Sequence, residues 1–256
     1  MSDPLLVLDG VTKRFGSFRA VDQVGFTVSS NAIAGLIGPN GAGKTTLFNT
    51  VAGLLSPEEG SVTLAGKRVD GLPPHKVFAA GLARTFQIPR PFPEMTVLEN
   101  VMLVPERQAG ERFWNNWVAP ARVRREEAMN RERAREIIAF CGLDRVAADL
   151  ARTLSGGQLK LLELARALMA EPRIILLDEP AAGVNPALME TLVEKITALN
   201  AQGYAFLIIE HNMDLVMSIC RPIMVMAQGR LIYSGDAEGA RRDSAVLDAY
   251  LGDVPG

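Results

Sequence analysis

The stretch Gly38-Pro39-Asn40-Gly41-Ala42-Gly43-Lys44-Thr45 decides the fold. It fits G-x-x-x-x-G-K-[ST], the pattern of a phosphate-cradling loop, which needs a strand before it and a helix after it. Both flanks are present. Ile33 to Ile37 is an apolar run of strand length, and Leu47, Phe48, Val51, Leu54 and Leu55 recur at helical spacing on one face. Glycines let the backbone curl until successive N–H groups point at phosphate oxygens, and the helix adds the positive end of its dipole. In such a loop Lys44 reaches the β- and γ-phosphates and Thr45 offers its hydroxyl to Mg²⁺. A glycine-rich turn that holds nothing is the bland alternative, and both flanks count against it.

Further along, Arg173-Ile174-Ile175-Leu176-Leu177-Asp178-Glu179-Pro180 is an apolar run suited to a strand buried on both faces, with two carboxylates at its carboxyl end. Open α/β sheets place ligands there, so Asp178 is positioned to hold the hydrated metal and Glu179 to activate water as a general base. Taken alone, acids at a strand end more often just start a turn. The phosphate loop upstream reverses that weighting. A third element, Leu154-Ser155-Gly156-Gly157-Gln158, opens an alanine- and leucine-rich helix. Ser155 and Gln158 have capping-box spacing, and the two glycines leave bare N–H groups, a second anion site. A plain cap would explain Ser155 and Gln158 but not two adjacent glycines, each costing about 1 kcal/mol of helix propensity.

The surrounding pattern is α/β. Residues 5 to 30 predict short strands broken at Gly16-Ser17, and SVTLAG predicts another after the turn at 56–60. Prolines at 89, 91 and 93 mark a boundary or stiff hinge. Thr96 and Glu99 have capping-box spacing, and 121–140 predicts a charged helix, whose six arginines and three glutamates between 121 and 135 suit a solvated face. The remainder alternates: helix after 155, strand 173–178, helix 186–200, strand 204–209, helix 212–219, then short strands around 223–233. Such alternation argues a mainly parallel sheet covered on both faces.

Composition narrows the function classes. The chain has 256 residues, 48% hydrophobic and 22% charged, enough for an ordinary core. Its 27 basic and 29 acidic side chains give a formal charge of -2, which provides no global field for holding nucleic acid. Cys141 and Cys220 are too few for a disulfide scaffold and form no CxxC pair, so buried thiols are expected. The start, MSDPLLVLDG, lacks a basic n-region, and the longest apolar runs are strand-sized, so neither a signal peptide nor a membrane span is expected.

In order and spacing these elements resemble the ATP-binding subunits of ABC transporters: GPNGAGKTT from Gly38 to Thr46, LSGGQ from Leu154, ILLDEP through Pro180, Gln87 ahead of the prolines, and His211 after FLIIE. The resemblance covers essentially the whole chain. It implies a P-loop NTPase of the ABC type: one domain over residues 1–256, a mainly parallel sheet core with an N-terminal antiparallel β subdomain, and a helical subdomain inserted at 88–168. It further implies that two ATP-binding subunits, identical or related, sandwich two ATP head to tail. Each nucleotide then meets Gly38 through Thr46 of one subunit and Ser155, Gly156, Gly157 and Gln158 of the other. By the same resemblance Glu179 is the catalytic base, His211 contacts the γ-phosphate, Phe15 stacks on adenine, and Thr45, Gln87 and Asp178 serve Mg²⁺. Gln87 would also link the metal to transmembrane permease subunits, with a substrate-binding protein acting indirectly. The expected place is peripheral, on the cytoplasmic face of the cell membrane. One departure is Asn185, where most of the family has aspartate; before Pro186 it also makes a sound helix N-cap.

Within the family, ArgThrPheGln at 84–87 leading into MTVLENV, extra residues near 105–125, DEPAAGVNP, and ValLeuAspAlaTyrLeuGly at 246–252 resemble importers of branched-chain and other hydrophobic amino acids. The extra segment holds Phe113, Trp114 and Trp117, rings for packing or for docking to a membrane subunit. The alternatives are an ATPase subunit of a lipid or lipopolysaccharide exporter, which shares every nucleotide motif, a non-transport ABC ATPase, and a non-hydrolytic nucleotide sensor. A sensor could dispense with Glu179 and His211.

Overall fold

The computed structural model describes residues 3–85, 90–105 and 120–251. Gln87, Phe113, Trp114 and Trp117 lie outside the described residues. The chain folds as two compact units, one drawn from 1–87, 172–182 and 196–256, the other from 88–171 and 183–195.

The first unit holds two sheets. β1 (Pro4–Phe15) and β2 (Phe18–Ser29) form an antiparallel hairpin about Gly16 and Ser17, as the turn signal there predicts. β4 (Glu59–Leu64) joins β1, and the two-residue β5 (Lys67–Arg68) closes the order β2-β1-β4-β5. The second sheet runs β10-β9-β3-β8-β7-β6. In it β6 (Leu82–Arg84), β7 (Ile174–Asp178), β8 (Ala205–Ile209), β3 (Ile33–Ile37) and β9 (Ile223–Ala227) are parallel, and β10 (Arg230–Gly235) returns antiparallel. Every residue of β3, β7 and β8 is buried, as uninterrupted apolar runs require when both faces are covered. One core joins Leu8 and Val24 of the hairpin sheet to Leu36, Leu176 and Leu207 of the parallel sheet, with Leu47, Phe48 and Val51 of α1 (Lys44–Val51) inserted.

Three further helices were not read from the sequence, and a fourth forms where a helix was expected over 212–219. α2 (Pro74–Ala79) starts with proline in its first turn. α7 (Met213–Ile219) is capped by Asn212, whose Oδ1 accepts from the Leu215 N–H at 3.1 Å. α8 (Ala237–Arg242) and α9 (Ser244–Leu251) follow β10 in a segment that carried no element in the sequence reading.

The second unit is helical. α3 (Val97–Met102) packs on α4 (Pro120–Phe140) and α5 (Gly156–Met169), burying Val101, Ile138, Leu143 and Leu162. The Thr96–Glu99 capping box forms as its spacing predicts. Asn100, fully buried, ties the preceding loop: its Nδ2 donates to the carbonyls of Phe92, Met95 and Thr96 at 3.0, 3.2 and 3.0 Å, and its Oδ1 accepts from the Phe92 N–H at 2.8 Å. Residues 186–195 of α6 (Pro186–Ala201) group with this unit.

Candidate active site

Three segments leave the same edge of the six-stranded sheet. β3, β8 and β7 are neighbours and parallel, so the chain after Ile37, Ile209 and Asp178 emerges side by side at their carboxyl ends. Those segments are the phosphate loop, Glu210-His211 and Glu179, at the edge where open α/β sheets hold ligands.

The loop is shaped by glycines at two positions. Gly38 has φ 151°, and a Cβ there would lie 2.1 Å from the Met226 carbonyl oxygen; Gly43 has φ 95°, and its Cβ would lie 2.1 Å from that of Ala20. Any side chain would collide with backbone, so the loop lies directly against β9 and β2. Gly43 is also the N-cap of α1 and supplies no side-chain hydrogen bond, so the donors of the first turn are not claimed by a cap. Lys44 is buried, and its Nζ donates to the carbonyls of Gly38 at 2.7 Å and Pro39 at 2.9 Å. The ammonium therefore rests on the loop's own oxygens, inside the cradle the phosphates would enter. Asn40, Gly41 and Thr45 are exposed, Pro39 and Thr46 half-buried and Ala42 buried.

Beside the loop, Glu179 and His211 touch: Glu179 Oε1 lies 2.8 Å from His211 Nε2. Glu179 has φ 48°, a left-handed conformation uncommon for a non-glycine residue, and its N–H bonds the Ile209 carbonyl at 2.9 Å. Backbone strain at such a position is characteristic of functional turns. Glu210, buried next to His211, accepts three backbone N–H groups: Ala181 at 2.6 Å on Oε1, and His211 and Asn212 at 2.9 and 3.1 Å on Oε2. It braces the turn after Glu179 against the turn that carries His211. The sequence reading missed it, because an acid ending an apolar run looks like any strand terminus.

Asp178 is buried at the end of β7 and pairs through Oδ2 with Arg84 Nη2 at 2.9 Å. Arg84 Nη1 also donates to Asn49 Oδ1 on α1, at 2.6 Å, and the guanidinium sits 5.9 Å from the Phe48 ring centroid. Asp178 and Thr45 provide oxygen donors alone. Among the described residues, no group of three or more His, Cys, Asp or Glu could hold a metal. That donor set fits magnesium, which is bound by one or two protein oxygens together with phosphates and water.

Phe15 is 52% exposed at the hairpin end, with Lys13 Nζ 5.8 Å from its ring centroid. Its ladder partner Phe18 is 64% exposed, a second open ring the sequence reading passed over.

In the second unit Ser155 and Gln158 form the capping box their spacing predicts, Gln158 N–H to Ser155 Oγ at 3.3 Å and Ser155 N–H to Gln158 Oε1 at 2.9 Å. The two glycines differ. A Cβ at Gly156 would meet nothing within 4 Å, whereas one at Gly157 would lie 1.8 Å from Leu188 Cδ2. Gly157 thus has a packing reason that the sequence reading did not supply, whereas no packing contact requires a glycine at 156. Asn185 Oδ1 accepts from the Leu188 N–H at 2.9 Å, the N-cap bond expected before Pro186.

No helix among the described residues is long and apolar enough to cross a membrane. The family model described as ABC transporter matches residues 21–182. The chain is 41% identical to the high-affinity branched-chain amino acid transport ATP-binding protein BraF of Pseudomonas aeruginosa, over 99% of this chain and 100% of that one. It is 41% identical to the probable branched-chain amino acid transport ATP-binding protein LivG of Archaeoglobus fulgidus, over 97% and 95%. Among solved structures, a nucleotide-free ATP-binding cassette from an ABC transporter superposes with a TM-score of 0.84 at 36% identity, covering 98% of this chain and all of that one. The ADP conformation of another such cassette gives 0.83 at 34%, covering 98% of this chain and all of that one.

Proposed function

Because this chain belongs to the ABC transporter family and is an ATPase of that family, we propose that it energises import of branched-chain or other hydrophobic amino acids. The observation that carries the catalytic reading is the convergence, on one edge of the parallel sheet, of the phosphate loop, Asp178 and the Glu179–His211 contact. The substrate class is supported by the names of relatives that match this chain over nearly their full lengths.

In this reading Lys44 leaves the carbonyls of Gly38 and Pro39 for the β- and γ-phosphates, while the loop amides and the first turn of α1 take the remaining charge. Asp178 and Thr45, with Gln87, would hold Mg²⁺, which neutralises charge building on the phosphate oxygens. Glu179 accepts a proton from water as that oxygen bonds to the γ-phosphorus and the bond to the β-phosphate oxygen breaks, giving ADP and phosphate. His211 steadies the γ-phosphate, and its contact with Glu179 keeps base and anchor in register. Phe15 stacks on adenine. Ser155, Gly156, Gly157 and Gln158 serve the nucleotide of a second subunit, so a lone chain supplies half of each reaction chamber. Permease subunits would convert closing and opening of the pair into transport, with the chain peripheral on the cytoplasmic face.

The test is ATP hydrolysis by the purified chain, with light scattering of Glu179→Gln in ATP. The reading requires a nucleotide-dependent dimer; brisk turnover by an obligate monomer would overturn it. Proteoliposomes holding this chain with the permease subunits that copurify with it should take up leucine only with ATP, and uptake of unrelated solutes alone would sink the substrate assignment.

A further inference from the structure

Arg84 ends β6, three residues before Gln87 and with no role assigned to it above, yet its side chain is only 10% exposed and bridges two elements of the site. One arm bonds Asp178 Oδ2 and the other Asn49 Oδ1, with Phe48 beneath the guanidinium. A buried ion pair is weak as a source of stability, since an apolar pair of the same volume is often as stable or more so. What the guanidinium's planar fork supplies is geometry: two N–H bonds from one rigid group fix both acceptors at once. Asn49 lies on α1, the same helix that begins at Lys44 and Thr45. The fork therefore ties Asp178 to the helix that carries Thr45, the two residues that would supply oxygen donors to the metal.

We propose that Arg84 is a positioning residue for the magnesium of Mg-ATP: it holds Asp178 by Oδ2, orienting the carboxylate that would serve the ion, and locks that carboxylate to the helix of Thr45 through Asn49. This rests on the Mg-ATP reading above. Partners of a metal-facing ligand fix its orientation, and their loss weakens metal binding more than it disturbs the rest of a site.

The test uses the full chain with a non-hydrolysable ATP analogue and Mn²⁺, bound ion being counted by electron paramagnetic resonance, beside binding of a fluorescent ATP analogue in EDTA. Arg84→Lys and Arg84→Gln should raise the Mn²⁺ concentration for half-saturation by roughly 10–100-fold, Asn49→Ala by a smaller factor, with metal-free nucleotide affinity kept within about twofold. A merely structural role would weaken both measurements alike, and that result, or a folded Arg84→Lys with unchanged Mn²⁺ half-saturation, overturns the proposal. Should both Arg84 variants fail to fold, Asn49→Ala decides, an unchanged half-saturation counting against it. Wild-type chain that binds no nucleotide would instead remove the Mg-ATP reading, and Arg84's task with it.

Discussion

Two helices in this chain start on glycines, and they are built differently. At the phosphate loop, Gly38 and Gly43 press against backbone carbonyls at φ values closed to other residues, and no side chain caps the helix. At the LSGGQ helix, a complete Ser155–Gln158 capping box closes the first turn, and a Cβ at Gly156 would meet open space. The first start is a cradle finished within its own chain. The second is a sound helix end carrying one glycine that no contact among the described residues requires, and the proposed function gives it a task at a partner's nucleotide.

Each prediction strains that contrast at a different point. Glu179→Gln should cut turnover by roughly 10²–10⁴-fold while keeping ATP binding and favouring the closed pair, read by steady-state hydrolysis and light scattering. Lys44→Ala, which empties the self-contained cradle of its buried cation, should weaken ATP binding by roughly 10²–10³-fold in equilibrium titration. Gly38→Ala should lower unfolding free energy by about 2–4 kcal/mol in urea, from overpacking and backbone strain together. Gly156→Ala should be neutral or stabilise by up to about 1 kcal/mol, yet slow hydrolysis by the assembled pair. Equal stability costs at the two glycines would erase the contrast. The smallest effect belongs to a site in neither region. Glu58 accepts from Lys13 Nζ at 2.6 Å and from the Arg14 N–H at 2.8 Å, and the Lys13 ammonium holds its carboxyl below the usual range. A carboxyl depressed in the folded state stabilises above its ordinary pKa and loses that contribution as pH falls through the folded value. Glu58→Gln should accordingly flatten acid sensitivity by less than about 1 kcal/mol, with no change in nucleotide binding at neutral pH.

Legibility followed the range of the interaction. The phosphate loop, the ILLDEP strand and both capping boxes are local patterns in which spacing and residue type are the mechanism, so they can be read without coordinates. The parallel core followed from apolar runs of strand length alternating with helical spacing. Arg84 could not be found that way: its partner Asp178 is 94 residues distant, and neither periodicity nor composition signals a pairing of that kind. Glu210 was hidden for a related reason, since its three acceptor bonds go to backbone amides, which carry no residue signature. The packing reason for Gly157 was equally hidden, because the close approach of Leu188 depends on how α5 and α6 pack. The last two helices were passed over because they are short and follow a strand pair that ended the alternating pattern.

The burial of Cys141 and Cys220 has a practical consequence for watching two copies meet. Both side chains are fully enclosed, and burial pushes each thiol up to about 12, so at neutral pH neither offers the thiolate that maleimides and disulfide-forming reagents need. A cysteine introduced at an exposed position outside the nucleotide site, such as Met129 or Leu247, would then be the chain's one reactive thiol. Fluorophores, spin labels or oxidative crosslinks could report on assembly without first engineering the native pair away.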